Sequence, residues 1–292
     1  MTSAGASVGR LVVCPTPIGN LEDVTLRVLT ALRTSDLVAC EDTRHTRVLL
    51  DRHGIDAAKL LSYHEHNERA RAGELVERMH AGAVVALVSD AGMPLVSDPG
   101  FALVRACIEA GLAVEVLPGP SAVSTALVAS GLPAERWRFV GFLPRKAAER
   151  ARLLERAGET LVAFESPRRL AAVLEQLSGS DPDRPLAVCR ELTKLHEEVR
   201  RGTAAELAEH YAEHAPRGEV VLVVGAAGSR TPGLDPAHPP ADVVDPRGED
   251  AVRALRELVD AGARVRPAAK VVAKLTGASA NELYRRLTDG PT

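Results

Sequence analysis

One recurrence constrains this chain more than any other feature. Short β-branched runs, "RLVVC", "DLVAC", "VVALV" and "AVEVL", return in the first third after helical patterns, each bounded by Gly, Pro or Asp. Strands alternating with helices predict a largely parallel sheet with both faces covered, because every parallel crossover lays a helix on the sheet. After about Gly131 a second series follows: "WRFVGF", "TLVAFES", "PLAVCRE" and "EVVLVVG". With 292 residues, 46% of them hydrophobic, the chain can bury more than one core. The α/β pattern thus divides into a first domain over residues 10–119 and a second over 120–226.

Two helices of the first domain are specified in detail. Val24, Val28, Leu29 and Leu32 form one apolar stripe. The next helix is expected to follow Asp98 as N-cap, with Pro99 at its first position and Gly111 past its end. From Gly225 to Glu249 the composition turns to Pro, Gly and small polar residues, which cannot build a core, so residues 227–248 read as a linker. The tail, 249–292, is helical, and "AAKVVAKLTGASANELYRRL" has the helix, Gly-centred turn, helix form of a helix-turn-helix.

Charge and cysteine usage exclude several classes. A net charge of −3 rules out a globally basic nucleic-acid binder but permits a local basic patch. The segment Ala251 to Thr292 supplies one, with eight Lys/Arg against four Asp/Glu, a net +4. It reads either as a nucleic-acid contact or as a solvated helical cap. Cys14, Cys40, Cys107 and Cys189 lie apart in apolar segments and read as buried, reduced thiols. No signal peptide and no run near ~18 apolar residues is present, so a soluble, cytoplasmic protein without membrane contact is expected.

The chemistry-bearing residues fall in strand-to-helix loops, at the edge where open α/β sheets bind ligands. In "ALVSDAGMPLVSDPG" the strand ending at Val88 delivers Ser89, Asp90 and Gly92 to that edge. Asp90 there is either part of a capped turn or an acceptor for ribose hydroxyls or an ammonium. In "LPGPSAVSTAL" Ser121 and the free amides beside it offer a polar-ligand site, or a plain Ser cap. Consecutive strands carry both loops, which makes a shared cleft the natural reading. "EDTRHTRVLL" clusters Glu41, Asp42, Arg44 and His45 at the same edge, although acids there also simply offset a helix dipole. In the second series "AFESPRRL" sets Glu165, Ser166, Arg168 and Arg169 after one strand, and "CRELTKLHEE" sets Glu191, Thr193 and Lys194 after the next. Together with Arg145 and Lys146 of "LPRK", the arginines suit phosphate oxygens or, equally, a surface salt-bridge network.

Several chemistries lack their signatures. There is no G-x-G-x-x-G fingerprint, Walker loop or G-x-S-x-G elbow, which weighs against a dehydrogenase, a P-loop nucleotidase or a covalent hydrolase. His64 and His66 in "YHEHNE" would share one side of a strand, but no third ligand stands near, so no metal is assigned.

The ordered set "PTPIGNLEDVTLRVL", "ACEDTRHT", "SDAGMPLVSDPG", "LPGPSA", "GFLPRK", "FESPRR" and "RELTK" resembles the bacterial small-subunit ribosomal RNA cytidine 2′-O-methyltransferases, within the tetrapyrrole-methylase-like superfamily. The likeness runs from about Leu11 to Val224 and continues more weakly in the tail. It implies two α/β domains, S-adenosylmethionine in the cleft between them, a homodimer, and ribosomal RNA or the assembled small subunit as partner. The cofactor contacts it implies fall on Ile18, Asp90, Met93, Ser121 and Ala122, and in the second domain on Phe164 and Leu192. Asp98 stays a helix cap in this reading. Asp42, Lys146 and Glu165 are candidates for taking the acceptor proton, while Arg44, Arg145, Lys146, Arg168 and Arg169 would hold RNA phosphates. Tetrapyrrole relatives carry a G-x-G-P-G-D type first loop where this chain has "TPIGNLED", a departure that points to another substrate. A methylase of this fold acting on a tetrapyrrole or protein side chain, and a nucleotide-sensing nucleic-acid-binding regulator, are the alternatives.

Overall fold

The computed structural model describes residues 9–56, 59–229 and 246–276, together with residues 280, 283, 284 and 287. In the first layer, strands β1 (Arg10–Val13), β2 (Leu37–Cys40), β3 (Leu60–Ser62), β4 (Val84–Val88) and β5 (Ala113–Val116) alternate with helices α1 (Leu26–Thr34), α2 (Thr43–Arg52), α3 (Glu68–His80) and α4 (Phe101–Glu109). The strands form one parallel sheet in the order β3-β2-β4-β1-β5. Side chains alternate across a strand, so each strand feeds two cores. Leu11, Val13, Val85 and Leu87 pack with Leu75, Met79 and Leu103 of α3 and α4, whereas Val12, Val38, Ala86 and Val88 pack with Val28, Leu32 and Leu49 of α1 and α2. This is the two-sided burial that the near-continuous apolar runs require.

Helix α5 (Ala122–Ser130) leads into the second layer. There β6 (Trp137–Phe142), α6 (Ala147–Glu155), β7 (Thr160–Glu165), α7 (Pro167–Ser180), β8 (Pro185–Arg190), β9 (Glu198–Thr203), α8 (Ala204–Glu213) and β10 (Val220–Val224) follow in order. The sheet order is β6-β7-β10-β8-β9, with β6 and β7 parallel and the pairs β7-β10, β10-β8 and β8-β9 antiparallel. This sheet is mixed, not the largely parallel one that the α/β pattern suggests. The difference comes from β9, whose "EVRRGT" carries no apolar run and becomes a strand only by pairing along the whole of β8. One face is covered by Leu170, Val173, Leu174 and Leu177 of α7 and Leu207 and Tyr211 of α8. On the other, Val123, Ala126 and Leu127 of α5 pack against Val162, Ala187, Val221 and Val223, with Ile18 of the first layer in the same cluster. The two α/β layers therefore form one compact unit.

Three local expectations are corrected. Helix α1 starts at Leu26, so Val24 of the expected stripe lies before it; Thr25 caps the helix by accepting from the Val28 amide at 3.2 Å. Helix α4 starts at Phe101, so Asp98 is not its cap. The N-cap position is Gly100, at φ 136°, and its amide donates across the fold to Glu68 Oε2 at 3.1 Å. His64 and His66 do not share a strand: β3 stops at Ser62 and both lie in the turn before α3, where Asn67 Oδ1 accepts from the His64 amide.

All four cysteines are buried without a disulfide. Burial pushes the thiols up, Cys14 and Cys189 to about 12 and Cys107 to about 11. Beyond residue 229, α9 (Pro246–Asp260) and α10 (Val265–Thr276) form a separate small core around Ala251, Leu255, Ala269 and Val272. Most of the expected linker, and the turn at 277–279 of the expected helix-turn-helix, lie outside the described residues. Among the described residues no helix is long and apolar enough to cross a membrane.

Candidate functional site

Parallel strands end together, so the loops after β1, β2, β4 and β5 share one edge of the first sheet. In the second sheet the strand directions bring the ends of β6, β7 and β8 and the start of β10 to a common edge. Between these edges lies a cleft of about 350 Å³, within the range of small-molecule sites. Ile18, Met93, Ser121 and Ala122 line it from the first layer and Phe164 and Glu165 from the second. An adjoining cavity of about 290 Å³ contains Asp90, His45 and Lys194 and shares Ile18, Ala91 and Glu219 with the cleft.

Backbone pairing holds the loops. Thr16 and Gly92 exchange main-chain hydrogen bonds at 2.8 and 2.9 Å, and the Thr16 hydroxyl donates to Ser89 O. The Asn20 amide donates to Thr193 Oγ1 at 3.0 Å, tying the first loop to the second layer. Only a glycine fits at position 19, where a Cβ would collide with Lys194 and Thr193. Among the described residues the non-glycine positions with positive φ are Leu95, Ser97, Glu191 and Thr193. They belong to just two loops, those after β4 and β8, and each such residue costs about 1–3 kcal/mol. Strain of that kind persists only where surrounding contacts over-determine it, and here both loops border the cavities.

The expected cofactor residues divide into three groups. Ile18, Met93, Ser121, Ala122 and Phe164 line the cleft. Ser121 occupies the N-cap position of α5 without a capping bond, which leaves its hydroxyl available to a ligand. Phe164 is packed edge-on between Phe139 and Phe142, at ring separations of 5.0 and 5.6 Å. Asp90 lies in the adjoining cavity, accepting from the Asp42 amide at 3.0 Å, with His45 Nδ1 4.0 Å from its other oxygen. Leu192 is buried behind Ile18 in the shared apolar cluster and lines neither cavity.

The three candidate proton acceptors are occupied elsewhere. Asp42 caps α2 and pairs with Arg44, whose side-chain and main-chain hydrogen bonds hold its carboxyl at about 2. Glu165 lines the cleft, but its buried carboxylate accepts from Arg169 Nε and Nη2 at 2.6 and 2.7 Å and from the Ser166 amide. Lys146 is exposed and pairs with Glu149 at 3.1 Å. Of the expected phosphate contacts, Arg44 and Arg169 are thus engaged in ion pairs, while Arg145 and Arg168 are exposed beside the β6 and β7 ends of the cleft.

Asp98, expected as a helix cap, belongs to the site instead. The carboxyl lines the cleft, where burial first, then the Glu41 and Asp90 charges, push it up to about 7, with Ser89 opposing and Glu219 adding. The Glu41 carboxyl is also raised, by burial and then by Asp90. One side of the site is therefore rich in carboxylates and suited to a cation. The only local signal was the repeat of Ser-Asp in "SDAGMPLVSDPG"; that the second Asp turns inward follows from Ser97 and Gly100 adopting positive φ, which no local pattern dictates.

Fold and cleft together define the class: the family model described as tetrapyrrole (corrin/porphyrin) methylases matches residues 10–208, and the RsmI C-terminal HTH domain model matches residues 245–289. A solved uroporphyrin-III C-methyltransferase from Thermus thermophilus is similar over 74% of this chain and 94% of its own, with TM-score 0.54 and 26% identity. A structure so titled in complex with S-adenosyl homocysteine matches over 74% and 97%, with TM-score 0.52 and 23% identity. Proteins named ribosomal RNA small subunit methyltransferase I are nearer in sequence. That of Mesorhizobium japonicum is 46% identical over 96% of this chain and 91% of its own length, and that of Mycobacterium tuberculosis 46% identical over 98% and 99%. The chain belongs to this ribosomal RNA small subunit methyltransferase I family.

Proposed function

We propose that the protein transfers the methyl group of S-adenosylmethionine to the ribose 2′-hydroxyl of a cytidine in small-subunit ribosomal RNA. The observation that carries this reading is the cleft between the two layers, in a chain whose relatives at 46% identity are named for that RNA. In chemical terms, Ser121 and the α5 amides suit a polar cofactor group, and Phe164 and the apolar wall of Ile18 and Met93 suit an adenine. The carboxylates Asp90, Glu41 and Glu219 suit the positive charges of a sulfonium and an ammonium.

Methyl transfer from a sulfonium is an in-line displacement on an already activated carbon, so the protein chiefly aligns the acceptor oxygen and keeps water out. Phe142, 62% exposed at the cleft mouth, offers a face on which an unstacked base can lie. Arg145 and Arg168 beside it suit the flanking phosphates. Under this reading Asp90 serves the cofactor and Leu192 only backs the wall of its site. The substrate places the protein in the cytoplasm, the relevant species is a homodimer, and the helical tail is a docking module for RNA or the assembled small subunit.

The test is methylation of isolated small-subunit ribosomal RNA and of assembled small subunits with labelled S-adenosylmethionine, followed by nucleoside analysis. A 2′-O-methylcytidine product is expected; absence of label from both substrates, or methylation of a base instead of ribose, overturns the reading.

A further inference from the structure

We propose that Asp98 is the catalytic residue that accepts the proton of the acceptor hydroxyl, an assignment that rests on the methyl-transfer reading above. Around the two cavities Glu165 is bound to Arg169, Asp42 to Arg44, and Glu191 and Glu219 to Lys194 at 2.8 and 2.9 Å. Lys194 itself is no base: although burial works against its charge, the hydrogen bonds it donates to those two carboxylates raise it above the ordinary lysine range. Asp98 lines the cleft with no ion-pair partner among the described residues.

Its position is fixed from both sides. The Val96 amide donates to Met93 O and the Gly100 amide to Glu68 Oε2, so the strained turn between them aims one carboxyl at the cavity. Facing it are Glu41 at the end of β2, Ser89 and Asp90 after β4, and Glu219 before β10; the basic side chains lining the adjoining cavity are His45, 4.0 Å from Asp90, and Lys194, paired with Glu219. A base titrating near neutrality combines the ionised form with a useful proton affinity. Bound sulfonium favours the ionised form, and that help vanishes as the methyl leaves, so the proton affinity of Asp98 rises while the proton arrives.

The hydroxyl oxygen forms the new bond to the methyl carbon while the carbon–sulfur bond breaks and its electron pair stays on sulfur. S-adenosylhomocysteine and a methyl ether result. The hydroxyl proton passes to Asp98 and then to water.

The test combines titration of S-adenosylmethionine with single-turnover methylation of small ribosomal subunits lacking the modification, for the wild type, Asp98→Asn and Asp98→Glu. The Asn variant is expected to keep cofactor affinity within about tenfold and to lose about 10²- to 10⁴-fold in single-turnover rate. For the wild type, log kcat/KM should rise with unit slope at acid pH, bend near pH 7 and level off above it, and this limb should be missing in Asp98→Asn. Asp98→Glu should recover part of the rate. A wild type that methylates nothing overturns the functional reading and this assignment with it. An active wild type beside an Asn variant within about threefold, or a loss lying wholly in cofactor affinity, overturns the assignment alone.

Discussion

The main-chain N–H of Asp42, at the end of β2, donates to Oδ1 of Asp90, at the end of β4, across 3.0 Å. This bond turns the Asp90 side chain along the sheet edge and leaves its second oxygen toward the cavity beside the cleft. Asp90→Ala removes both bond and charge and is expected to weaken S-adenosylmethionine binding by about tenfold or more, about 1.4 kcal/mol. Asp90→Asn keeps an acceptor for the Asp42 amide and should lose less. Calorimetric titration of the two variants measures the difference; equal affinities for Asp90→Ala and wild type would remove Asp90 from the cofactor site.

Asp98 makes stability depend on pH in a direction opposite to most carboxylates. Its folded value of about 7 lies above that of an unfolded aspartate, about 4, so folding favours the protonated form. The stability it contributes is complete below about pH 4 and is lost as pH rises through about 7. Asp98→Asn should therefore melt above the wild type at pH 8, with the gap closing toward pH 4. Thermal melts across that interval, without ligand, read this directly.

The Glu165–Arg169 pair serves as a strut between β7 and the loop after β6, since Arg169 Nη2 also donates to Leu143 O at 2.8 Å. Arg169→Ala strands a buried carboxylate and is expected to cost about 3–5 kcal/mol in denaturant unfolding. Glu165→Gln, which keeps an acceptor and removes the charge, should cost less. A near-neutral Arg169→Ala would show that solvent reaches Glu165.

Lys270 and Lys274 are exposed on α10, one turn apart. If the tail contacts RNA, Lys270→Ala with Lys274→Ala should weaken binding and make the slope of log affinity against log salt shallower by roughly 1 to 2. Titration of S-adenosylmethionine should be unchanged by the same pair of substitutions. An unaltered salt slope would assign these lysines to solvent.

The sequence by itself determined the α/β alternation, eight of the ten strands among the described residues, the buried thiols and the set of loops from which the cleft is built, because apolar periodicity and turn chemistry are local properties. It could not supply β3, only three residues long, or β9, whose charged sequence is a strand solely through its pairing with β8. It also set Asp98 down as a helix cap beside a cofactor-binding Asp90, two aspartates in near-identical Ser-Asp contexts, and the cap is not there. Tertiary structure decided that difference: Glu68, from a helix some thirty positions earlier in the chain, holds the Gly100 amide, so the second aspartate is released from capping and turned inward. Once there, its proton affinity is set by burial and by Glu41 and Asp90, charges delivered from two other strands. Electrostatics and packing act through space, and neighbours in space are chosen only when the sheets assemble.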